Sequence, residues 1–157
     1  MRKLIILSII AFSIAACGGN DSGDKKGTSA SESSKTESGN PSYDPNRGAG
    51  KFTKVDVSPA LEVAKADAGE KVYSVKCGSC HKLTEEKLVG PGWKGVTDRH
   101  TAEWIMNFAT NPDEMLNKDP KAQAMLELCL VRMPNQNLSD DDARNVYEFM
   151  RKNDGVK

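Results

Sequence analysis

An all-α domain is the fold the sequence predicts. Three observations carry that expectation: apolar residues recur at helical spacing from about Asp67 onward, helix-capping residues head most of those stretches, and no strand pattern of any length is found. Gly69, Val72 and Tyr73 stand at i, i+3 and i+4 and predict a first helix running into Cys77. Gly90-Pro91-Gly92 reads as a loop. Thr101 heads a second helix with Trp104, Ile105, Phe108 and Ala109 on one face, stopped by Asn111-Pro112. Asp119-Pro120, a cap followed by proline at the first helical position, opens a third with the stripe Ala122, Met125, Leu126 and Cys129, ended by Met133-Pro134. Ser139 to Asp142 forms a capping box whose acids suit a helix N-terminus, and Ala143, Val146, Tyr147 and Met150 carry the last helix toward Gly155. The expected architecture is thus about four helices in about 90 residues, a domain small enough to profit from anything that enlarges its core.

The N-terminal part has another character. Arg2 and Lys3 precede a continuous apolar stretch, Leu4 to Ile14, too short to span a membrane comfortably and followed by small residues, as in an export signal. Its end, Ile14-Ala15-Ala16-Cys17, resembles the bacterial lipobox, which implies cleavage before Cys17 and diacylglycerol on its thiol; an ordinary signal cut nearby would leave Cys17 free. Several acyl chains hold a protein at a membrane where one is marginal. Gly18 to about Asn40 contains no large apolar side chain and cannot offset its ordering entropy. A coil from Cys17 to Phe52 spans roughly 30–35 Å. Residues 1–16 are therefore read as a lipoprotein signal peptide and 17–42 as a lipid-anchored flexible linker. Residues 43–66, with Phe52, Val55 and Val57 alternating with polar neighbours, are read as an extended segment packing on the domain, and 67–157 as the domain itself.

The formal net charge is +0, falling to about −2 once Arg2 and Lys3 leave with the signal, which excludes a nucleic-acid binder on charge grounds. Lys76, Lys82, Lys87 and Lys94 bracket the most informative run of the chain and offer either a docking rim or a solvated face.

That run is Cys77-Gly78-Ser79-Cys80-His81. C-x-x-C-H is the covalent attachment pattern of a c-type haem: two thiolates meet the two vinyl groups, and the adjacent histidine lies under the iron. Structural zinc would want a second ligand cluster, and Cys17, Cys129 and His100 do not form one. A thioredoxin-like redox pair sits near a βαβ pattern, whereas the flanks here are helical. For the sixth ligand the domain offers Met106, Met115, Met125, Met133 and Met150. Met125 and Met150 lie on helical stripes, while Met133 follows a helix and precedes proline in a loop able to fold over a haem. His100 is the competing ligand for a bis-histidine site, and its plain reading is a surface residue before the Thr101 helix. Cys129 falls on a core stripe and reads as a small buried hydrophobe.

With these parts in view, the stretch from Asp67 to Asn153 resembles a class I cytochrome c: C-x-x-C-H early, a Gly-Pro loop soon after, Met-Pro downstream, and a closing amphipathic helix. The resemblance implies the class I cytochrome c fold around one covalent haem c per chain, with His81 and Met133 as axial ligands. It implies that the Pro91 carbonyl accepts from the proximal imidazole and that Arg99 approaches a propionate; Trp93 stands where the family often has leucine, and Trp93 and Trp104 are read here as helping to orient and shield the group. It further implies a crossing of first and last helices through Gly69, Tyr73 and Tyr147. The longer run from Gly50 to Asp154 is similar to lipid-anchored bacterial cytochromes that accompany the copper enzyme nitrous oxide reductase. The function implied is that of an electron carrier, not an enzyme, in the periplasm-facing cell envelope. It would stand between a membrane-bound quinol-oxidising donor and a terminal reductase or oxidase, with nitrous oxide reductase as one candidate. Two alternatives stay open: a haem enzyme or gas sensor with an open distal site, and a permanently docked subunit of a larger complex.

Overall fold

The computed structural model of the protein describes residues 43–157; the stretches read above as signal peptide and linker, with Cys17, lie outside the described residues. Six helices follow in order: α1 (Val63–Lys76), α2 (Val96–Arg99), α3 (Ala102–Thr110), α4 (Pro112–Lys118), α5 (Pro120–Cys129) and α6 (Asp140–Asn153). Besides them the described residues form only two isolated β-bridges, Asp44 with Gly48 and His81 with Lys87.

Three caps are those the sequence predicts. Thr101, Asp119 and Ser139 each accept a backbone N–H of the first turn of α3, α5 and α6 through their side chains. The count of four helices is corrected to six. Asn111-Pro112 stops α3 and also starts α4, because Asn111 caps both and proline is well placed at the first helical position. The other addition, α2, is a single turn too short to show a period, entered through Gly95 at φ 69°. Its free N–H groups are met by a side chain from the end of α6: the Asp154 carboxylate accepts from Gly95 N at 2.6 Å, Thr97 N at 2.9 Å and Thr97 Oγ1 at 2.7 Å. Two boundaries also move. α1 begins at Val63, so residues 63–66 are helical rather than extended, and α5 ends at Cys129 with Leu130 in the left-handed region at φ 61°.

The scaffold is the crossing of α1 and α6. At Gly69 an added Cβ would fall on the Asn145 carbonyl and 2.9 Å from Val146 N, so the two backbones touch there. Tyr73 carries the contact onward to the Phe149 ring, centroids 5.3 Å apart, while Tyr147 is buried on α6 and receives Arg144 over its face. Val146, Phe149 and Met150 join Trp104, Ile105 and Met106 of α3 in one core, and Met115 of α4 is fully buried.

Residues 43–62 run irregularly over this core, with Ala49, Phe52, Val55 and Val57 packed against it. Buried polar side chains receive them. Asn107 accepts from Phe52 N at 2.8 Å and donates to the carbonyls of Arg47 and Phe52. Asp119, fully buried, accepts from Tyr43 Oη at 2.5 Å and Trp104 Nε1 at 3.1 Å while capping Ala122 N. Glu148 is fully buried between Arg144 and Arg151, so its charge is paired on both sides.

Candidate functional site

The C-x-x-C-H run leaves the end of α1 as a tight turn. Cys80 N and His81 N both donate to Cys77 O at 3.0 Å, so the two thiols and the imidazole stay on one short arc. Tyr73 Oη donates to His81 O at 2.7 Å and ties that arc to the helix before it. The chain then folds back: Gly90 N donates to Cys80 O at 2.9 Å and Trp93 N to Lys82 O at 2.9 Å. This return places Pro91 O 2.9 Å from His81 Nδ1. With the proton on Nδ1, Nε2 keeps its lone pair. Burial holds the His81 pKa below its ordinary value, partly opposed by the Pro91 carbonyl, so the ring is neutral at physiological pH and able to bind a metal. Burial likewise pushes the Cys77 thiol up to about 11.

Above the arc lies a cleft of about 420 Å³, a volume usual for a small-molecule site. Cys77, Cys80, His81 and Pro91 line one side, Trp93, Arg99, His100 and Trp104 another, and Met125, Leu126, Met133 and Pro134 a third, with Val146 and Met150 of α6 behind. Every candidate cofactor-binding residue named from the sequence within residues 43–157 lines this one cleft. Met133 is half-buried in the segment between α5 and α6. Trp93 is buried and tilts against both Tyr73 and His81. Trp104 spends its N–H on Asp119 and stacks its ring on His100, centroids 3.9 Å apart. Arg99 donates to Lys94 O at 2.7 Å, with a longer contact of 3.5 Å to Gly92 O, bracing the Gly-Pro loop from the cleft wall. The cleft fits a flat, largely apolar group attached at one edge, and the donor set of two thiols, a neutral imidazole and a thioether is that of a c-type haem.

Of the other methionines, Met125 on α5 and Met150 on α6 line the same cleft, whereas Met106 and Met115 are packed into the core. Met106 and Met115 are buried, and Met115 Sδ accepts from Ala49 N at 3.1 Å. Cys129 is half-buried and lines the cleft instead of sitting within a core. Among the described residues no group of three or more His, Cys, Asp or Glu side chains comes together as a metal cluster. The four lysines around the motif all have partners: Lys82 pairs with Glu86, and Lys76, Lys87 and Lys94 donate to the carbonyls of Gln136, Leu128 and Asn153.

One residue of the site escaped sequence reasoning in its role. A Cβ at Gly90 would lie 2.8 Å from His81 Nδ1 and 2.9 Å from Nε2, so the imidazole occupies the space a side chain would fill. The only available signal was the glycine itself beside Pro91.

The family model described as Cytochrome c matches residues 66–154. The chain belongs to the cytochrome c family and carries one covalently bound haem c as a monohaem electron carrier. A cytochrome c from Rhodothermus marinus aligns with TM-score 0.65 and 28% identity over 67% of this chain and 90% of that one. An engineered form of that cytochrome aligns with TM-score 0.67 and 28% identity over 71% and 98%. The cytochrome c-type cyt cy of Rhodobacter capsulatus is 42% identical over 48 residues, covering 31% of this chain and 24% of the relative, so the chain spans about a quarter of that protein's length.

Proposed function

We propose that Cys77 and Cys80 bear the thioether links, that His81 and Met133 are the axial ligands, and that the protein is a lipid-anchored carrier. It would move one electron at a time between a membrane-bound quinol-oxidising donor and a terminal reductase or oxidase. The observation that carries the ligand assignment is the pairing of His81 Nδ1 with Pro91 O at 2.9 Å, together with Met133 in the wall of the same cleft. When bound, the haem supplies a one-electron Fe(III)/Fe(II) couple, and a methionine ligand raises its potential relative to bis-histidine. The protein's own part is to orient the imidazole through Pro91, Gly90 and Trp93, and to keep water from the iron with apolar walls. Both axial positions would be filled, which leaves no place for substrate on the iron.

Anchoring through Cys17, the linker 17–42 and a periplasm-facing location rest on the sequence signals. No helix among the described residues is long and apolar enough to cross a membrane. Nitrous oxide reductase is the candidate acceptor, on the likeness of residues 50–154 to its companion cytochromes.

Two measurements test the reading. Met133→Ala should abolish the near-infrared sulfur-to-iron band of the ferric protein, admit carbon monoxide to the ferrous form and lower the potential; survival of the band would assign another methionine. Cys17→Ser should move the holoprotein from membrane to soluble fraction, and retention at the membrane would refute the anchor.

A further inference from the structure

The segment that carries Met133 is held weakly by itself. It joins α5 to α6 without helix or strand, and is bounded by two non-glycine residues in the left-handed region, Leu130 at φ 61° and Asn137 at φ 50°. Leu130 and Val131 are 84% and 54% exposed, so burial does little to hold this end. Its internal hydrogen bonds are local, Gln136 Nε2 to Pro134 O at 3.3 Å and Asn137 N to Asn135 Oδ1 at 2.8 Å.

Three cations bind this segment and the last turn of α5 that leads into it to the rest of the domain, each from a different place in the fold. Lys87, in the loop after the C-x-x-C-H turn, donates to Leu128 O at 2.8 Å, one of the unpaired carbonyls of the last turn of α5, where a cation is also favoured by the helix dipole. Arg132, next to Met133, reaches α4 through Asp113 Oδ1 at 3.1 Å, with a longer contact to Asn117 Oδ1 at 3.5 Å. Lys76, the last residue of α1 and the neighbour of Cys77, donates to Gln136 O at 3.0 Å.

We propose that Lys76, Lys87 and Arg132 are positioning residues that fasten the Met133 segment over the haem cleft at three points, and so set how often that ligand leaves the iron. The inference rests on the assignment of Met133 as distal ligand. An outside ligand reaches the iron only in the open form, so its apparent affinity scales with the open fraction. Contacts of this exposed kind, removed one at a time, should raise that fraction by about two- to fivefold each. Attached to separate elements, they should act nearly independently, and the triple change should give about tenfold or more.

The test titrates the ferric, full-length holoprotein with imidazole, following the near-infrared sulfur band and the Soret shift. Lys76→Met, Lys87→Met and Arg132→Gln keep the side-chain stems and remove the charge. Each should tighten imidazole binding, the triple variant most, while Lys76→Arg keeps the parent affinity. Lys152→Met, which breaks ion pairs with Asp67 and Glu70 on α1, serves as the control and should change nothing. Far-UV melting of the same samples reads global stability; affinity that rises only in step with a lowered melting point overturns the positioning role. A parent that shows the sulfur band, with a triple variant of unaltered imidazole affinity, overturns this inference alone. A Met133→Ala protein that keeps the band overturns the ligand assignment and this inference with it.

Discussion

A methyl group at residue 90 is the smallest change that reaches the proximal ring. A Cβ there would lie 2.8 Å from His81 Nδ1 and 2.9 Å from Nε2, where ordinary contact begins near 3.4 Å. The ring carbon His81 Cε1 is closer still, so in Gly90→Ala either the ring or the loop must give by about an ångström. A shift of that size takes Nδ1 out of hydrogen-bond range of Pro91 O, now at 2.9 Å. Overpacking costs about 1–3 kcal/mol and the lost bond about 1 kcal/mol more, so holoprotein stability should fall by about 2–4 kcal/mol. At about 4 °C per kcal/mol for a domain of this size, Tm drops by about 8–16 °C. The potential moves as well. A carbonyl that accepts from Nδ1 makes the other ring nitrogen a stronger donor and favours the ferric state. Weakening it by roughly half to one kcal/mol in favour of ferric iron raises the potential by about 20–40 mV, at 59 mV per tenfold for one electron. Calorimetry and spectroelectrochemistry of the same preparation read both. A variant with unchanged Tm and potential would show that Gly90 does not make room for the ring.

Other outcomes follow from the same geometry. Gly69→Ala should lower the urea midpoint of the holoprotein by the equivalent of about 1–3 kcal/mol, because its Cβ meets the Asn145 backbone; an unmoved midpoint would mean that α1 and α6 do not touch there. Asp119→Ala removes the acceptor of Trp104 Nε1, Tyr43 Oη and Ala122 N and should cost about 3 kcal/mol, with a loss under about 1 kcal/mol counting against the cluster. His100 is held down to about 4, mainly by burial with Lys121 and Arg99 adding repulsion, against an ordinary value of 6.5. The unfolded chain thus binds the extra proton between those values, so stability is full above pH 6.5 and declines as pH falls toward 4. His100→Phe, which keeps a ring on Trp104, should flatten that decline, and an equally steep acid profile would refute the assignment. Denaturation followed by acidified organic solvent should leave haem on the polypeptide, and a Cys77→Ala, Cys80→Ala double variant should release it; free extraction from the parent would refute thioether attachment at this motif.

Helix starts were legible where one side chain decides them. Thr101, Asp119 and Ser139 carry their capping chemistry within three residues, and a local signal survives in sequence. The start of α1 was not legible because Glu62 supplies no side-chain cap, so nothing in Val63-Ala64-Lys65-Ala66 marks where the first turn begins. Asn-Pro is ambiguous by nature: the pair that ends α3 is also a good beginning, and only the burial of Met115 and Leu116 decides for α4. At the site, C-x-x-C-H and the Gly-Pro loop are close in sequence and could be read together. The residues that tune the arrangement meet through space across long separations, as Lys76 with Gln136 does over 60 residues, and nothing periodic marks them. Met115 shows the same limit, since its sulfur is occupied by a backbone N–H 66 residues away.

The belt of residues 45–62 is anchored by the side chains of Ala49, Phe52, Val55 and Val57 and by the Glu62–Arg144 ion pair, but its polar contacts with the domain fall mostly on its main chain. Asn107 and Arg151 hold the carbonyls of Arg47, Phe52, Ser58 and Pro59, Glu103 and Glu148 take the N–H groups of Val55 and Glu62, and Thr101 and Lys121 donate to Asn46 O and Pro45 O. Much of the information about the belt is therefore written elsewhere, in six side chains on α3, α5, α6 and the residue before α3. A saturation library should find Lys51, Thr53, Lys54 and Asp56 freely replaceable and those six nearly fixed. The exceptions within the belt would be the core-packed Phe52, Val55 and Val57, the ion-paired Glu62, and Gly48 and Gly50, at φ 65° and 147°, where a side chain would strike Met115 or Asn107. Relatives could then differ widely in this stretch while keeping its path unchanged, and an inserted epitope or label at the exposed belt positions should leave the haem cleft as it is.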